Sequence, residues 1–123
     1  MTDAAQAEAE AEARPLAEYD DFAKLDIRVS RVVEVQPFPR ARNPAYKVAV
    51  DLGDLGIRWS SAQITNYAPD ELVGSSVVCI CNFASRNIAG FSSQILILGA
   101  RNTKGEVIVL SPRSDVPVGS AVF

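Results

Sequence analysis

Tyr46-Lys47-Val48-Ala49-Val50-Asp51-Leu52, then Gly53-Asp54-Leu55-Gly56, then Ile57-Arg58-Trp59-Ser60-Ser61-Ala62-Gln63-Ile64 is the stretch that decides the fold of this chain. In its first run Tyr46, Val48, Val50 and Leu52 alternate with Lys47, Ala49 and Asp51. A period of two sends one face of an extended strand to a core and the other to water. The glycines at 53 and 56 turn the chain back, so the second run is expected to lie antiparallel to the first.

Working outward, Ile27 to Val35 reads as the first strand. Arg31 breaks its alternation, which a bulge near Ser30 explains, as in a long strand that bends to serve two sheets. Pro37, Pro39, Arg40, Arg42, Asn43 and Pro44 then form a stiff, basic, exposed loop. Downstream, Pro69-Asp70-Glu71-Leu72 is one helical turn, begun by Pro and ended by Gly74. A fourth strand follows at residues 76–83 and a fifth at 94–100. Lys104-Gly105 turns the chain into Val107-Ile108-Val109-Leu110, a sixth strand, and the tail runs from Pro112 to Phe123. Three strands, a short helix and two more strands is the order of the OB-fold, an all-β, five-stranded Greek-key barrel. The short helices fit that fold; the extra C-terminal strand and tail exceed it, and either close the barrel or pair with another subunit.

Between the fourth and fifth strands lies Asn82-Phe83-Ala84-Ser85-Arg86-Asn87-Ile88-Ala89-Gly90-Phe91-Ser92-Ser93. A loop that offers a guanidinium, amides and hydroxyls from a rigid β scaffold is placed to touch a ligand, and Arg86 is its leading candidate. Cys79 and Cys81, two apart on the fourth strand, are expected to face the core with Val77 and Phe83. Two sulfurs this close along one strand make neither an ordinary disulfide nor a metal site.

Charge is uneven along the chain. Its formal net charge of −3 combines seven acids against Arg14 alone in residues 1–21 with a net +3 in residues 22–123, where eight of eleven cations are Arg. Arg joins bidentate phosphate contact to stacking, although an Arg-favouring genome explains the same bias. Residues 1–18 read as an acidic Ala/Glu-rich extension, expected to be disordered, and residues 19–123 as the barrel. Tyr19 to Leu25 is a capped helical turn whose Phe22 and Leu25 are expected to plug one barrel end. With no His in the chain, Ser-His-Asp and Cys-His catalysis are excluded. Asp20-Asp21 and Asp70-Glu71 stand at helix starts, where carboxylates cap free amides. Nothing in spacing points to an enzyme, a cofactor or a metal. No apolar run approaches the ~18 residues of a membrane span, so no membrane insertion and a cytoplasmic location are expected.

From about Tyr19 to Val122 the chain resembles the tRNA-binding domain family, and within it the CsaA-type export-related chaperones. The resemblance rests on Asp26-Ile27-Arg28-Val29, on Ala41-Arg42-Asn43-Pro44-Ala45-Tyr46-Lys47, on Gly56-Ile57 with Ser60-Ser61-Ala62-Gln63-Ile64, and on Asn82-Phe83 with Arg86, Ile88-Ala89-Gly90-Phe91 and Ser93. It implies an OB-fold homodimer that holds unfolded or pre-secretory polypeptides for the export machinery and binds tRNA by shape. Asn87 stands where relatives often carry a second basic residue, and Ser30 where glycine is usual. Synthetase-attached relatives share a Ser-x-Gly-Met run; here Ser93 is followed by Gln94-Ile95, which favours the chaperone branch.

The expected RNA-binding residues are Arg42, Asn82, Arg86 and Ser93, and the expected peptide-binding residues Phe38, Phe83 and Phe91. Each has a plainer alternative. Arg42 serves solubility, Asn82 closes a turn, Ser93 satisfies nearby backbone, and the aromatic residues, with Trp59, serve as core or dimer contacts. The leading expectation is a non-enzymatic homodimeric chaperone with tRNA binding as a second activity. The alternative is a structure-specific tRNA-binding module.

Overall fold

A computed structural model describes residues 13–123, so the first part of the acidic extension, with its expected disorder, lies outside the described residues. In chain order the elements are α1 (Tyr19–Ala23), β1 (Ile27–Pro37), β2 (Tyr46–Asp51), β3 (Ile57–Ala62), α2 (Pro69–Leu72), β4 (Ser76–Ile80), β5 (Arg86–Ile88), β6 (Phe91–Ser93), β7 (Leu96–Ile97), β8 (Gly99–Arg101) and β9 (Val107–Val109). A short 3-10 turn, Gly53–Leu55, joins β2 to β3. One antiparallel sheet runs β3-β2-β1-β4-β7. Its two ends approach each other where Gln94 N donates to Trp59 O at 2.8 Å and Ser61 N donates to Ser93 Oγ at 3.0 Å. The product is a nearly closed five-stranded barrel of the OB type.

β1 makes the closure possible by serving two partners. Its first half pairs with β4, from Ile27 opposite Ile80 to Arg31 opposite Ser76, and its second half with β2, from Arg31 opposite Asp51 to Pro37 opposite Tyr46. The bulge falls between Val32 and Glu34, not near Ser30, and leaves Val33 exposed. Ser30 faces the interior instead, its Oγ donating to Val77 O at 3.3 Å and lying 3.2 Å from Cys79 Sγ. Ile27 and Val29 pair with Ile80 and Val78 on the outer face of the strand. Arg31 therefore keeps the alternation it seemed to break in sequence, with its guanidinium outside near Asp115 at 3.7 Å.

The interior is built by Val32, Val48, Val50, Leu52, Val77 and Cys79, with Ile64 and Ile95 at its margins. Leu72 of α2, 1% exposed, plugs one end. α1 does not do this: Phe22 is exposed and its ring lies 6.1 Å from that of Tyr19, because a five-residue helix with aromatics three apart pairs them with each other. The acidic caps form as expected, with Asp21 Oδ2 accepting from Glu18 N at 2.9 Å and Glu71 Oε1 from Ala68 N at 2.7 Å. Both cysteines are buried free thiols.

Two expected strands are shorter than their apolar runs. β4 stops at Ile80, so Phe83 leaves the alternation of Val77, Cys79 and Cys81 and is 49% exposed rather than in the core. The fifth strand breaks at Leu98, and the remainder becomes β8 of a separate hairpin with β9, packed so tightly that a Cβ on Gly99 would lie 2.7 Å from Val107 Cγ1. The tail returns to its own barrel. Gly119 N donates to Val29 O at 2.8 Å, Val29 N to Ser120 O at 2.9 Å and Val122 N to Ile27 O at 2.8 Å, extending the sheet where β2 has not yet begun. Gly119 sits at φ +88°, and a Cβ there would come within 2.9 Å of Leu52 O, so only glycine fits the crossing.

Candidate nucleic-acid interface

Two loops flank the outer face of β2 and β3: residues 38–45 between β1 and β2, and residues 81–95 between β4 and β7. In an OB barrel this face and these loops are the usual ligand surface. The second loop is more ordered than its composition suggests, because β5 and β6 form a hairpin across Ala89-Gly90. Ala89 and Gly90 have φ of 49° and 84°, the pair of left-handed residues a tight two-residue hairpin needs. Asn87 Oδ1 accepts from Gly90 N at 2.9 Å and holds the turn. Asn87 is thus a turn-former.

The hairpin lays Phe91 over the outer face. Its ring meets Phe38 edge-on at 5.4 Å and Trp59 at 6.2 Å, and Lys47 Nζ stands 5.0 Å from the Phe38 centroid and 5.1 Å from that of Phe91. Lys47 reaches this position because it is the outward residue between Tyr46 and Val48. An ammonium over two rings is held by their quadrupoles while keeping its charge for a ligand. Phe38 is 5% exposed, so it supports Phe91 from below and is not itself an open peptide-binding wall. Arg40 lines a hollow with Phe38, Lys47 and Phe91.

Arg86 and Ser93 are brought together, opposite each other at the open end of the hairpin. With Phe83, Ile88, Ile95 and Leu96 they line a second hollow of about 170 Å³, so Phe83 is separate from the other two phenylalanines. Ser93 Oγ accepts from Ser61 N, tying β6 to β3, which fits the small residues of β3 lying at the barrel seam. Asn82 is spent on structure: its Oδ1 accepts from Asp26 N at 2.8 Å and its Nδ2 donates to Lys24 O at 2.7 Å, clamping the entrance to β1. Arg42 is exposed on the first loop.

Several cations are held by the fold, and three on the flanking loops are not. Arg28 is bound to Asp26 at 2.8 Å, which raises its pKa, Arg58 donates to Cys81 O at 3.2 Å, and Arg101 to Gly105 O at 2.7 Å. Arg40, Arg42 and Arg86, all on the two flanking loops, make no hydrogen bond or ion pair among the described residues. Lys47, Trp59, Arg40 and Gln94 are the site residues that sequence reasoning missed. Lys47 and Trp59 were visible as outward positions of alternating strands, but a strand pattern does not distinguish a ligand face from a solvent face. No group of three or more possible metal ligands occurs among the described residues, and none of their helices is long and apolar enough to cross a membrane.

An OB barrel with free cations around an aromatic outer face defines a class of nucleic-acid binder, and residues 27–121 match the family described as "Putative tRNA binding domain". The chain belongs to this tRNA-binding domain family. It is similar to the solved chaperone CsaA of Picrophilus torridus, with TM-score 0.83 and 42% identity over 88% of this chain and 100% of that one. The chaperone CsaA of Bacillus anthracis gives TM-score 0.83 and 38% identity, covering 89% of this chain and 100% of that one. The methionine-tRNA ligase of Bacteroides fragilis is 40% identical over 125 aligned residues, covering 98% of this chain and 18% of the ligase. The chain thus spans under a fifth of the length of such ligases.

Proposed function

We propose that residues 19–123 form a non-catalytic, cytoplasmic module that binds tRNA through the outer face of β2 and β3 and its flanking loops. The observation that carries this reading is a local cluster among the described residues: Arg40, Arg42 and Arg86, on the two flanking loops, are unpaired around Lys47, Phe91 and Trp59, whereas Arg28, Arg31, Arg58 and Arg101 are tied to carboxylates or carbonyls and the unpaired Arg14 and Arg113 belong to the chain's two terminal segments. Phosphates fix position on such a surface and aromatic rings add contact with bases. Arg42 and Arg86 take phosphate, Ser93 adds a hydroxyl at the seam, and Asn82 holds the loop that carries Arg86.

A second reading has its own support. The hollow beside β6 exposes Phe83 and Leu96 at 49% and 42%, an apolar surface that suits an extended polypeptide, and the similar CsaA structures are described as chaperones. Under this reading a homodimer holds unfolded or pre-secretory polypeptides for the export machinery, with Phe83 and Phe91 as the apolar contacts and Phe38 supporting Phe91 from below.

One experiment tests both. Arg42→Glu combined with Arg86→Glu places acids where phosphates are expected and leaves the core untouched, so tRNA binding should fall while melting stays near wild type. With about three phosphate contacts, wild-type affinity should drop roughly 20- to 40-fold between 50 and 200 mM salt, and the variant should show a shallower slope. Unchanged tRNA binding in the variant overturns the RNA reading. Phe83→Ser should weaken suppression of aggregation of an unfolded polypeptide without affecting tRNA; wild type that suppresses none, or that scatters light as a monomer, removes the chaperone reading.

A further inference from the structure

Phosphate contacts do not account for the geometry beside Phe91. Trp59 and Phe91 form a corner, with ring planes at 87° and centroids 6.2 Å apart. An open hollow of about 360 Å³ adjoins it, lined by Gln36, Lys47, Trp59, Phe91, Ser92 and Gln94. That volume is at the low end of the ~300–1,000 Å³ of small-ligand sites, room for one planar heterocycle and not for a helix. A ring laid on either aromatic face meets the other at its edge, the arrangement aromatic groups favour.

The polar groups of the hollow are oriented. Gln94 Oε1 accepts from Trp59 N at 2.9 Å while Gln94 N donates to Trp59 O at 2.8 Å, so the side-chain amide is held with its NH₂ as the group still able to donate. Gln36 donates to Glu34 and keeps its carbonyl oxygen as an acceptor. Lys47 supplies the positive charge at the rim.

We propose that this corner is a subsite for one unpaired nucleobase of a bound RNA strand. The base stacks on Trp59 or Phe91, Gln94 donates to a ring carbonyl or nitrogen, and Lys47 meets the adjoining phosphate. This rests on the RNA-binding reading and deepens it, because a fully paired helix keeps its bases stacked internally and cannot offer one to the corner. A surface that read phosphates alone would need neither the perpendicular rings nor the fixed amide.

Trp59 is the chain's sole tryptophan, so its fluorescence reports on this corner alone. The full chain is titrated with labelled single-stranded oligouridylate and oligoadenylate of ~12 nucleotides, within the range of OB-type sites, and with a duplex of equal length. Label anisotropy follows binding and Trp59 emission follows stacking. Single strands should quench Trp59 saturably, while the duplex binds, if at all, without quenching. Gln94→Glu keeps the acceptor for Trp59 N and replaces the donor by an anion, so it should weaken single-strand binding about tenfold or more at unchanged melting temperature. Phe91→Leu, which keeps an apolar contact with Phe38, should weaken it by about five- to 100-fold. Single strands that bind without quenching, or bind Gln94→Glu as well as wild type, overturn the base subsite and leave RNA binding standing. Failure of every oligonucleotide to bind overturns the base subsite, and failure of tRNA to bind as well overturns both. Equal quenching by a tryptophan-free unfolded polypeptide would make the corner a peptide site and overturn the proposal.

Discussion

Cys79 is the residue at which burial has a measurable chemical consequence. It is 0% exposed among Val77, Val48 and neighbours, and desolvation pushes its thiol up to about 11, with the Ser30 hydroxyl pulling weakly the other way. In the unfolded chain a thiol ionises near pH ~8.5. Below that pH both states hold the proton and the neutral thiol contributes its full stability. Between about 9 and 11 the unfolded state releases the proton and the folded state keeps it, so stability falls as pH rises through this window. The loss should be on the order of 2–3 kcal/mol. Urea melts at pH 8 and 10.5 on wild type and Cys79→Ala should show the steeper alkaline loss in wild type, although the variant is less stable at pH 8 because of the cavity it creates. Parallel pH profiles would mean that the thiol ionises in place. Burial at Cys79 was legible in sequence because position 79 follows the alternation set by Val77; the failure at Phe83 was not, since nothing in the residues says that β4 stops at Ile80.

The β5–β6 hairpin is where local sequence and fold conflict. Ala89 occupies φ 49°, a region that costs a non-glycine residue roughly 1–2 kcal/mol, and it does so because Gly90 alone cannot complete the turn. Asn-Gly is the pair this turn favours. Ala89→Asn should therefore raise the melting temperature by a few degrees, consistent with a gain of about 1 kcal/mol or less, and slow hydrogen exchange at Phe91. No change in exchange would mean that the hairpin opens for reasons other than turn strain. The hairpin was hidden in sequence because Arg86-Asn87-Ile88 and Phe91-Ser92-Ser93 are too short and polar to read as strands. It forms because β3 and Phe38 receive its Phe91. The longer elements were legible for the opposite reason: over Tyr46 to Leu52, which contains β2, Tyr46, Val48, Val50 and Leu52 agree on one inward face. The tail was ambiguous because backbone pairing with β1 carries no side-chain signature, apart from the glycine at 119.

At the scale of the molecule, the acidic extension and the basic barrel oppose each other. Residues 1–14 carry Asp3, Glu8, Glu10 and Glu12 against Arg14, a net −3, whereas residues 22–123 carry +3. Among the described residues, no side chain before Ile27 is buried, so residues 13–26 add little to the barrel core. A tethered cluster of negative charge lowers the local potential felt by an incoming polyanion over a distance set by the Debye length, ~30 Å at 10 mM salt and ~8 Å at 150 mM. Deleting residues 1–14 should thus leave melting unchanged and tighten tRNA binding at about 10 mM salt by roughly two- to fivefold, mainly through faster association. Near 150 mM salt the two proteins should bind alike. A gain that persisted at high salt would indicate that the extension blocks the site by occupying it, and a lowered melting temperature would indicate that it packs against the barrel.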